Sequence, residues 1–439
     1  MVSLSNLWRP EVSLAVSILS TFDDGSDQCH FGIRGGGIMP WKGAASVEGG
    51  VTIDLTLLNG IVYDEESSSM SILGGTRWGD VYQTLEPLGF AVAGGRADTV
   101  GVAGLVIGGG LSYFANQYGL ACDNVLDFEV VLANGAIVNA NRNRNTDLFR
   151  ALKGGGNNFG IMTKVIVRAF KQGPLWGGLI GHSASTVPAQ SNALLNFTSN
   201  LVNDGHAQLV TIWQHNGKSN TSFAASGLQY TLGTENAPIF EDFLDLPRTF
   251  SSLRVTDIYD LMMETAPPPG RRAIFLTLTV KNNLRVLEYI HALHNKAHVA
   301  VRGAGVQSED WDVIIFMQPF PALLANASQE PGNANVLGLE RMSGQDHLVF
   351  MLFLDWQDEA DDALFYDLGY GVIDKVKAYT QDIGVDSDYI YMNYAGRDQN
   401  PLRGYGDENL EFLRAVARKY DPFGVFQRQV PGGFKISKA

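Results

Sequence analysis

Apolar residues along the chain recur at helical spacing in some stretches and alternate in others, and this division predicts the elements. Glu11–Phe22 places Val12, Ala15, Val16 and Leu19 on one stripe, which predicts an amphipathic helix, whereas residues 1–10 show no pattern. Phe31–Ile33 reads as a short strand running into three glycines, and Val51–Leu55 and Met70–Leu73 as further strands, the last ending at Gly74-Gly75. Trp78, Val81, Tyr82 and Leu85 are helically spaced within Arg77–Leu88. Ala91–Gly110 then mixes small apolar residues with glycine and almost no charge, the texture of backbone pressed against something bulky. Asp127–Leu132 and Ile137–Ala140 read as strands joined at Asn134-Gly135, a strong hairpin signal. Thr146 and Asp147 are expected to cap a helix through Leu152, stopped by Gly154–Gly156. Ile161–Phe170 alternates, with Lys164 and Arg168 on its wet side.

Near Gly173-Pro174 the texture changes to longer elements: strands at Gln208–Trp213, Ala273–Val280, Val313–Met317 and His347–Trp356, then helical spacing over Asp358–Ile383. Glu408–Lys419 is a helix with Leu410, Leu413, Val416 and Ala417 inward, stopped at Asp421-Pro422. The expected class is α+β, with a second, antiparallel domain over 174–392.

Length changes the picture first: 439 residues are enough for two domains with ample cores. A net charge of −14 is a poor match to a polyanion, so nucleic acid is set aside as a partner. No apolar run reaches the roughly 18 residues that a membrane-crossing helix needs, and no membrane partner is expected. Cys29 and Cys122 lack metal-ligand spacing and read as small buried apolar side chains. The opening residues show no basic stretch followed by an apolar core, so no signal peptide is visible, which leans the chain as written towards a cytoplasmic protein. The N-x-Ser/Thr triplets at Asn196, Asn220 and Asn326 would matter only in a secreted protein.

The candidate chemistry lies in the glycines. Arg34-Gly35-Gly36-Gly37-Ile38-Met39-Pro40-Trp41 lets backbone approach a ligand and aim several N–H groups at one spot, as a diphosphate requires. Gly94-Gly95, Gly101 and Gly104 leading into Gly108–Gly110, and Gly154–Gly156 before Asn157-Asn158-Phe159-Gly160 repeat the theme.

These blocks, with Gly75-Thr76-Arg77-Trp78-Gly79-Asp80, Thr99-Val100-Gly101, Tyr118-Gly119-Leu120-Ala121-Cys122-Asp123-Asn124, Tyr391-Met392-Asn393-Tyr394 and Arg418-Lys419-Tyr420-Asp421-Pro422, resemble the flavin-linked oxidoreductases of the vanillyl-alcohol-oxidase superfamily. Within it they are most similar to the berberine-bridge-enzyme-like branch, especially its fungal members, in order and spacing from about residue 12 to the end. The resemblance implies a two-domain PCMH-type FAD-binding fold. Its FAD domain is formed by 1–173 with a return at 393–439, and an antiparallel-sheet substrate domain spans 174–392. It implies that Arg34, Gly35, Gly36 and Gly37 hold the pyrophosphate, and that Gly95, Thr99, Val100, Gly101, Gly104, Gly108 and Gly109 line the cofactor. Ile161 would meet the adenine end through its backbone, and Asn393 would sit by the flavin ring.

Two departures qualify this. Many relatives carry, after the triple glycine, a histidine bonded to the flavin; here Ile38 stands there, and Arg96-Ala97-Asp98 offers no cysteine for a second tether, so FAD is expected to be held noncovalently. Relatives also carry several dozen residues ahead of the Glu11 helix. A truncated chain, which would leave a secreted protein open, and a reduced cofactor shell both account for that.

A flavin oxidase needs a proton acceptor or an activated phenol. Tyr391 is the first candidate and Tyr394 the second, although an unperturbed phenol, with a pKa of about 10, is a poor base. Glu340 beside Arg341, His215 and Gln318 are further candidates; their bland readings are a solvated carboxylate and satisfied groups beside strands. The expected function is an FAD oxidoreductase acting on a small, mostly apolar secondary metabolite, as a monomer with O2 as acceptor. A redox-neutral isomerase or cyclase, or an inactive binding protein on the same scaffold, is the alternative.

Overall fold

The computed structural model describes residues 2–4, 9–21, 29–264, 270–327 and 334–439. The chain divides into two compact units: Met1–Gly173 with Ala325–Arg341 and Asn400–Ala439, and Pro174–Leu324 with Met342–Gln399. The first unit thus takes back the chain at Asn400 rather than 393, and it also claims Ala325–Arg341, a stretch with no periodic pattern of its own.

In the first unit, β1 (Val2–Leu4), β2 (Phe31–Arg34) and β3 (Val51–Asp54) form a parallel sheet in the order β1-β3-β2. β1 lies in the opening residues that showed no pattern, because a three-residue strand made by backbone pairing has no period to display. The helix Arg9–Ser20 buries Val12, Ala15, Val16 and Leu19, as its stripe predicts, in a core with Phe31, Ile53, Leu55, Ile161 and Phe426. Phe22, the expected end of that helix, lies outside the described residues.

The second sheet of this unit is antiparallel. It comprises β4 (Ile61–Asp64), β5 (Ser69–Leu73), β6 (Phe90–Val92), β7 (Val125–Val131), β8 (Ile137–Asn141) and β9 (Ile161–Lys171). The order is β4-β5-β9-β7-β8, with β6 also on β9. The Asn134-Gly135 turn joins β7 to β8, with Gly135 at φ +77°. Lys164 is drawn in from the wet side: with Arg9 and Thr163 it engages the buried carboxylate of Glu129, at 3.3 Å from Lys164 Nζ. The helix Thr146–Leu152 starts after Asn145, which sits in the left-handed region, and has no side-chain cap. Asp147, expected there as a cap, accepts from the adjacent Leu148 N at 3.0 Å and otherwise meets Lys419 Nζ at 2.6 Å and Tyr420 Oη at 2.8 Å, charge-assisted partners that tie the helix start to the C-terminal segment.

The second unit is built on one antiparallel sheet. Its strands are β10 (Leu175–Ser183), β11 (Ala207–Asn216), β12 (Thr221–Tyr230), β13 (Phe250–Ser251), β14 (Arg254–Thr256), β15 (Arg272–Lys281), β16 (Trp311–Phe320) and β17 (His347–Trp356). The order is β13-β10-β12-β11-β16-β17-β15, with β14 also on β10. The helices Val187–Asn200, Leu284–Gly303 and Asp362–Asp382 cover one face. There Leu194, Phe197, Ile290, Leu293, Phe365 and Val376 pack with Trp213, Leu276, Ile315 and Leu352. The opposite face gathers Ile212, Phe275, Ile314, Phe316, Met351, Phe353 and Tyr394. Strict alternation places side chains on both faces of β17, which is why the apolar run His347–Trp356 shows no period of two.

At one end of that opposite face, Arg271 lies among three carboxylates: Nη1 is 2.7 Å from Asp312 and 3.3 Å from Asp355, and Nη2 is 3.4 Å from Asp310. One guanidinium cannot neutralise all three. Burial pushes the Asp355 carboxyl up to about 7, with Arg271 opposing and Asp312 reinforcing the rise. A raised folded-state pKa means the native protein holds a proton that the unfolded chain releases near pH 4, so this group's contribution is complete below pH 4 and lost as pH rises towards 7. Asp355→Asn is expected to remove a stability loss on the order of 2 kcal/mol between pH 5 and pH 8. Urea denaturation of both proteins at the two pH values measures it, and equal slopes would refute it.

Candidate active site

The first candidate element is the turn that leaves β2. Arg34 ends that strand with its carbonyl accepting from Leu55 N at 2.8 Å and its guanidinium 3.5 Å from Asp54. Among the described residues, the backbone amides of Gly35, Gly36 and Gly37 donate to no carbonyl, and Gly37 turns the chain at φ +67°. Three successive unsatisfied donors on a half-exposed turn are what an anion needs. Ile38 follows with 41% of its surface exposed.

Across from this turn lies Gly101. A Cβ placed on Gly36 would sit 2.3 Å from Gly101 N, and one on Gly101 would sit 2.3 Å from Gly36 N, so each glycine is required by the other's backbone. Thr99 and Val100 are half-exposed beside them, and the short helix Val102–Ile107 starts at this contact. Gly104 on that helix is exposed, and a Cβ there would meet nothing within 4 Å. Arg34–Ile38, Thr99, Val100 and Gly104 therefore form a candidate cradle of exposed and half-exposed backbone beside the buried Gly101, with open space at Gly104 and free amides of the kind a diphosphate pairs with.

The other glycines have different causes. The space beside Gly94 and Gly95 is filled by the Trp78 indole, at 2.1 and 2.4 Å from the Cβ positions. Gly108 closes the Val102–Ile107 helix, buried, and Gly109 and Gly154 lie under Leu337. Gly155 lies against Ala151 O and the Phe159 ring. A missing side chain in the sequence marks close packing of any kind, and at these positions the neighbour is protein. The Ile161 side chain is in the core, leaving its β9 backbone as the part a ligand could meet.

In the second unit, Tyr391, Asn393 and Tyr394 share one turn. Asn393 Nδ2 donates to Tyr391 Oη at 3.1 Å, and the tyrosine rings meet edge to face at 4.9 Å. Gln318 Nε2 donates to Tyr394 Oη at 3.3 Å, and Tyr394 packs edge-on to Phe275. Gln318 thus joins the tyrosines, whereas His215 points to the helix side. There it stacks on His298 at 3.8 Å and lies against Trp311, and burial lowers its pKa to about 4. Glu340 is exposed in the first unit, not on the second unit's sheet, and Arg341 donates to Gly404 O. Gln399 carried no sequence signal, yet its amide takes Thr277 N and Gly396 N and donates to Thr277 O, pinning the tyrosine turn to β15. No group of three or more His, Cys, Asp or Glu among the described residues is placed to hold a metal, and no described helix is long and apolar enough to cross a membrane.

The family model for the FAD binding domain matches residues 25–141, which contain the whole cradle. Among solved structures, 6-hydroxy-D-nicotine oxidase from Arthrobacter nicotinovorans superposes with a TM-score of 0.79 at 22% identity, covering 99% of this chain and 91% of that one. A variant of berberine bridge enzyme superposes at 0.73 and 17%, covering 97% and 88%. The FAD-dependent monooxygenase drtC of Aspergillus calidoustus is 40% identical over 429 residues, 98% of this chain and 81% of the relative. The chain belongs to the family of these fungal FAD-dependent oxidoreductases. A second relative, the FAD-dependent monooxygenase sdcF of Emericella nidulans, is 39% identical over 433 residues, 98% of this chain and 89% of that protein. The fold of this oxidoreductase is the two-domain PCMH-type fold, and its cofactor is FAD.

The two kinds of glycine separate by experiment. In this oxidoreductase Gly104→Ala is expected to leave the melting temperature of the apoprotein unchanged or slightly higher, since alanine favours a helix, while weakening FAD binding at least tenfold. Gly36→Ala forces the Gly101 backbone away and is expected to lower both. Calorimetry of apoprotein and FAD titration by fluorescence quenching read the two effects, and tight FAD binding by Gly104→Ala would remove that position from the cradle.

Proposed function

We propose that this oxidoreductase holds FAD noncovalently and oxidises a small, mostly apolar secondary metabolite, with molecular oxygen receiving the electrons. The observation that carries the noncovalent reading is Ile38: it occupies the position after the glycines, exposed, with a hydrocarbon side chain that forms no bond to a flavin. The amides of Gly35, Gly36 and Gly37 would hold the diphosphate without burying several lysines. Backbone of Thr99, Val100, Gly101 and Ile161 would flank the rest of the nucleotide, and Asn393 the ring. FAD, when bound, supplies the hydride acceptor.

The chain's own contribution to the chemistry is assigned to the tyrosine turn. Tyr391 takes the substrate proton. A hydrogen bond donated to its oxygen by Asn393 favours the phenolate, which moves a poor base in the required direction. Gln318, by donating to Tyr394 Oη, holds that hydroxyl in place beside the Tyr391 ring. The aromatic and aliphatic side chains around Tyr394 carry no formal charge, which supports an apolar substrate. The names of the two fungal relatives, both monooxygenases, support oxygen as acceptor. Ile38 also favours a second reading, a redox-neutral isomerase or cyclase.

Purified protein is expected to be yellow, to release its FAD on acid precipitation and to bleach anaerobically with substrate. Colourless protein that turns over substrate without consuming O2 would establish the second reading instead. Ile38→His is expected to yield a fraction of protein whose flavin fluorescence survives a denaturing gel, and absence of that band would count against the loop assignment. Tyr391→Phe is expected to slow anaerobic flavin reduction about 100-fold or more with FAD content unchanged, as stopped-flow absorbance can read.

A further inference from the structure

Residues 334–341 interrupt the sequence of the second unit yet belong to the first. Their middle is buried: Asn335 is 6% exposed, and Val336 and Leu337 are fully enclosed. Val336 N donates to Lys153 O at 3.2 Å, Arg150 Nε donates to Asn335 O at 3.3 Å, and Asn335 Oδ1 accepts from Leu337 N at 3.0 Å. The Leu337 side chain enters a hole that two glycines leave. A Cβ on Gly154 would lie 2.5 Å from Leu337 Cδ2, and one on Gly109 would lie 3.4 Å from Leu337 Cδ1.

The same segment reaches the Gly108–Gly110 turn by a second route. Asn335 Nδ2 donates to the buried Asp123 at 2.8 Å, and the other Asp123 oxygen accepts from Leu120 N at 2.9 Å. From the turn that Asp123 stabilises, Ala121 N and Cys122 N donate to Gly110 O and Gly109 O at 2.8 and 2.9 Å. Gly156 N, from the other glycine turn, donates to Ile107 O at 3.0 Å. Hydrogen bonds and packing thus run from Asn335 and Leu337 to the C-terminal end of the helix Val102–Ile107. The N-terminal end of that helix carries Gly101 and Gly104, half of the cofactor cradle.

We propose that Asn335–Leu337 is a retaining strap for the flavin nucleotide. Asn335 and Leu337 act as positioning residues: they hold the Val102–Ile107 helix at its far end, keep Gly101 against Gly36, and so slow the release of a cofactor that no covalent bond retains. The inference rests on the noncovalent reading given above. Apart from the strap, this six-residue helix is held by one buried stripe, Val102, Ala103 and Val106, by Val102 N donating to Thr76 O at 2.9 Å, and by Gly156 N on Ile107 O.

The test is the rate of FAD release from reconstituted holoenzyme, followed by the rise in FAD fluorescence on dilution, for wild type, Leu337→Ala, Asn335→Ala and Leu337→Met. Val12→Ala, in the helix Arg9–Ser20 of the same unit, serves as a control that opens a cavity in a core to which the strap does not belong. Leu337→Ala and Asn335→Ala are expected to release FAD at least tenfold faster than wild type, Leu337→Met, which keeps the volume, within about twofold, and Val12→Ala at close to the wild-type rate. Urea unfolding of each apoprotein ranks the loss of stability independently. Strap variants that release FAD no faster than Val12→Ala at matched stability loss would overturn the strap alone. Wild-type protein that binds no FAD, or holds it covalently, would overturn the noncovalent reading and the strap with it.

Discussion

The candidate cofactor cradle of the first unit depends on two backbones touching at Gly36 and Gly101. Any side chain at either position would have to share space with the other's main chain, so the turn after β2 and the start of the Val102–Ile107 helix meet at a separation only glycine permits. That contact leaves the Gly35–Gly37 amides without carbonyl partners. Being half-exposed, these donors can pair with water in the empty protein and turn to an anion without breaking a protein hydrogen bond. The helix beside them is too short to form without tertiary support.

The second unit solves a different problem with one sheet. Its helical side is a conventional core, with large aromatic and aliphatic residues interlocked. The other side holds a patch without charge around Tyr394, and at one end of it a charged group in which one arginine faces three aspartates. Separating these along the strands keeps the Arg271 cluster apart from the uncharged patch. That turn is in turn held by side-chain amides: Gln399 on β15, Gln318 on β16, and Asn393 within it. Amides suit this task because each offers donors and an acceptor and none changes charge with pH.

Much of this was legible in the residues. The stripe in the Arg9–Ser20 helix, the β7–β8 hairpin at Asn134-Gly135 and the long apolar β17 are local patterns, and local patterns survive folding when the core agrees with them. The family blocks carried the fold class and FAD. What misled was the assumption that every glycine cluster clears space for a nucleotide. Gly94 and Gly95 make room for Trp78, and Gly109 and Gly154 for Leu337, a residue far along the sequence from either.

By itself, the sequence determined several helices and strands, among them the Arg9–Ser20 helix, the β7–β8 hairpin and β17, that the protein belongs to a flavin-linked family, and that Ile38 cannot anchor the flavin by a bond. These depend on residue type and on spacing over a few turns of chain. Only the tertiary structure decided which glycines face open space, that Gln318 rather than His215 sides with the tyrosines, and that Asn335 and Leu337 belong to the cofactor unit. Those outcomes depend on which face of a strand a residue occupies and on contacts between positions as distant as Asp123 and Asn335, and neither leaves a periodic trace in the chain.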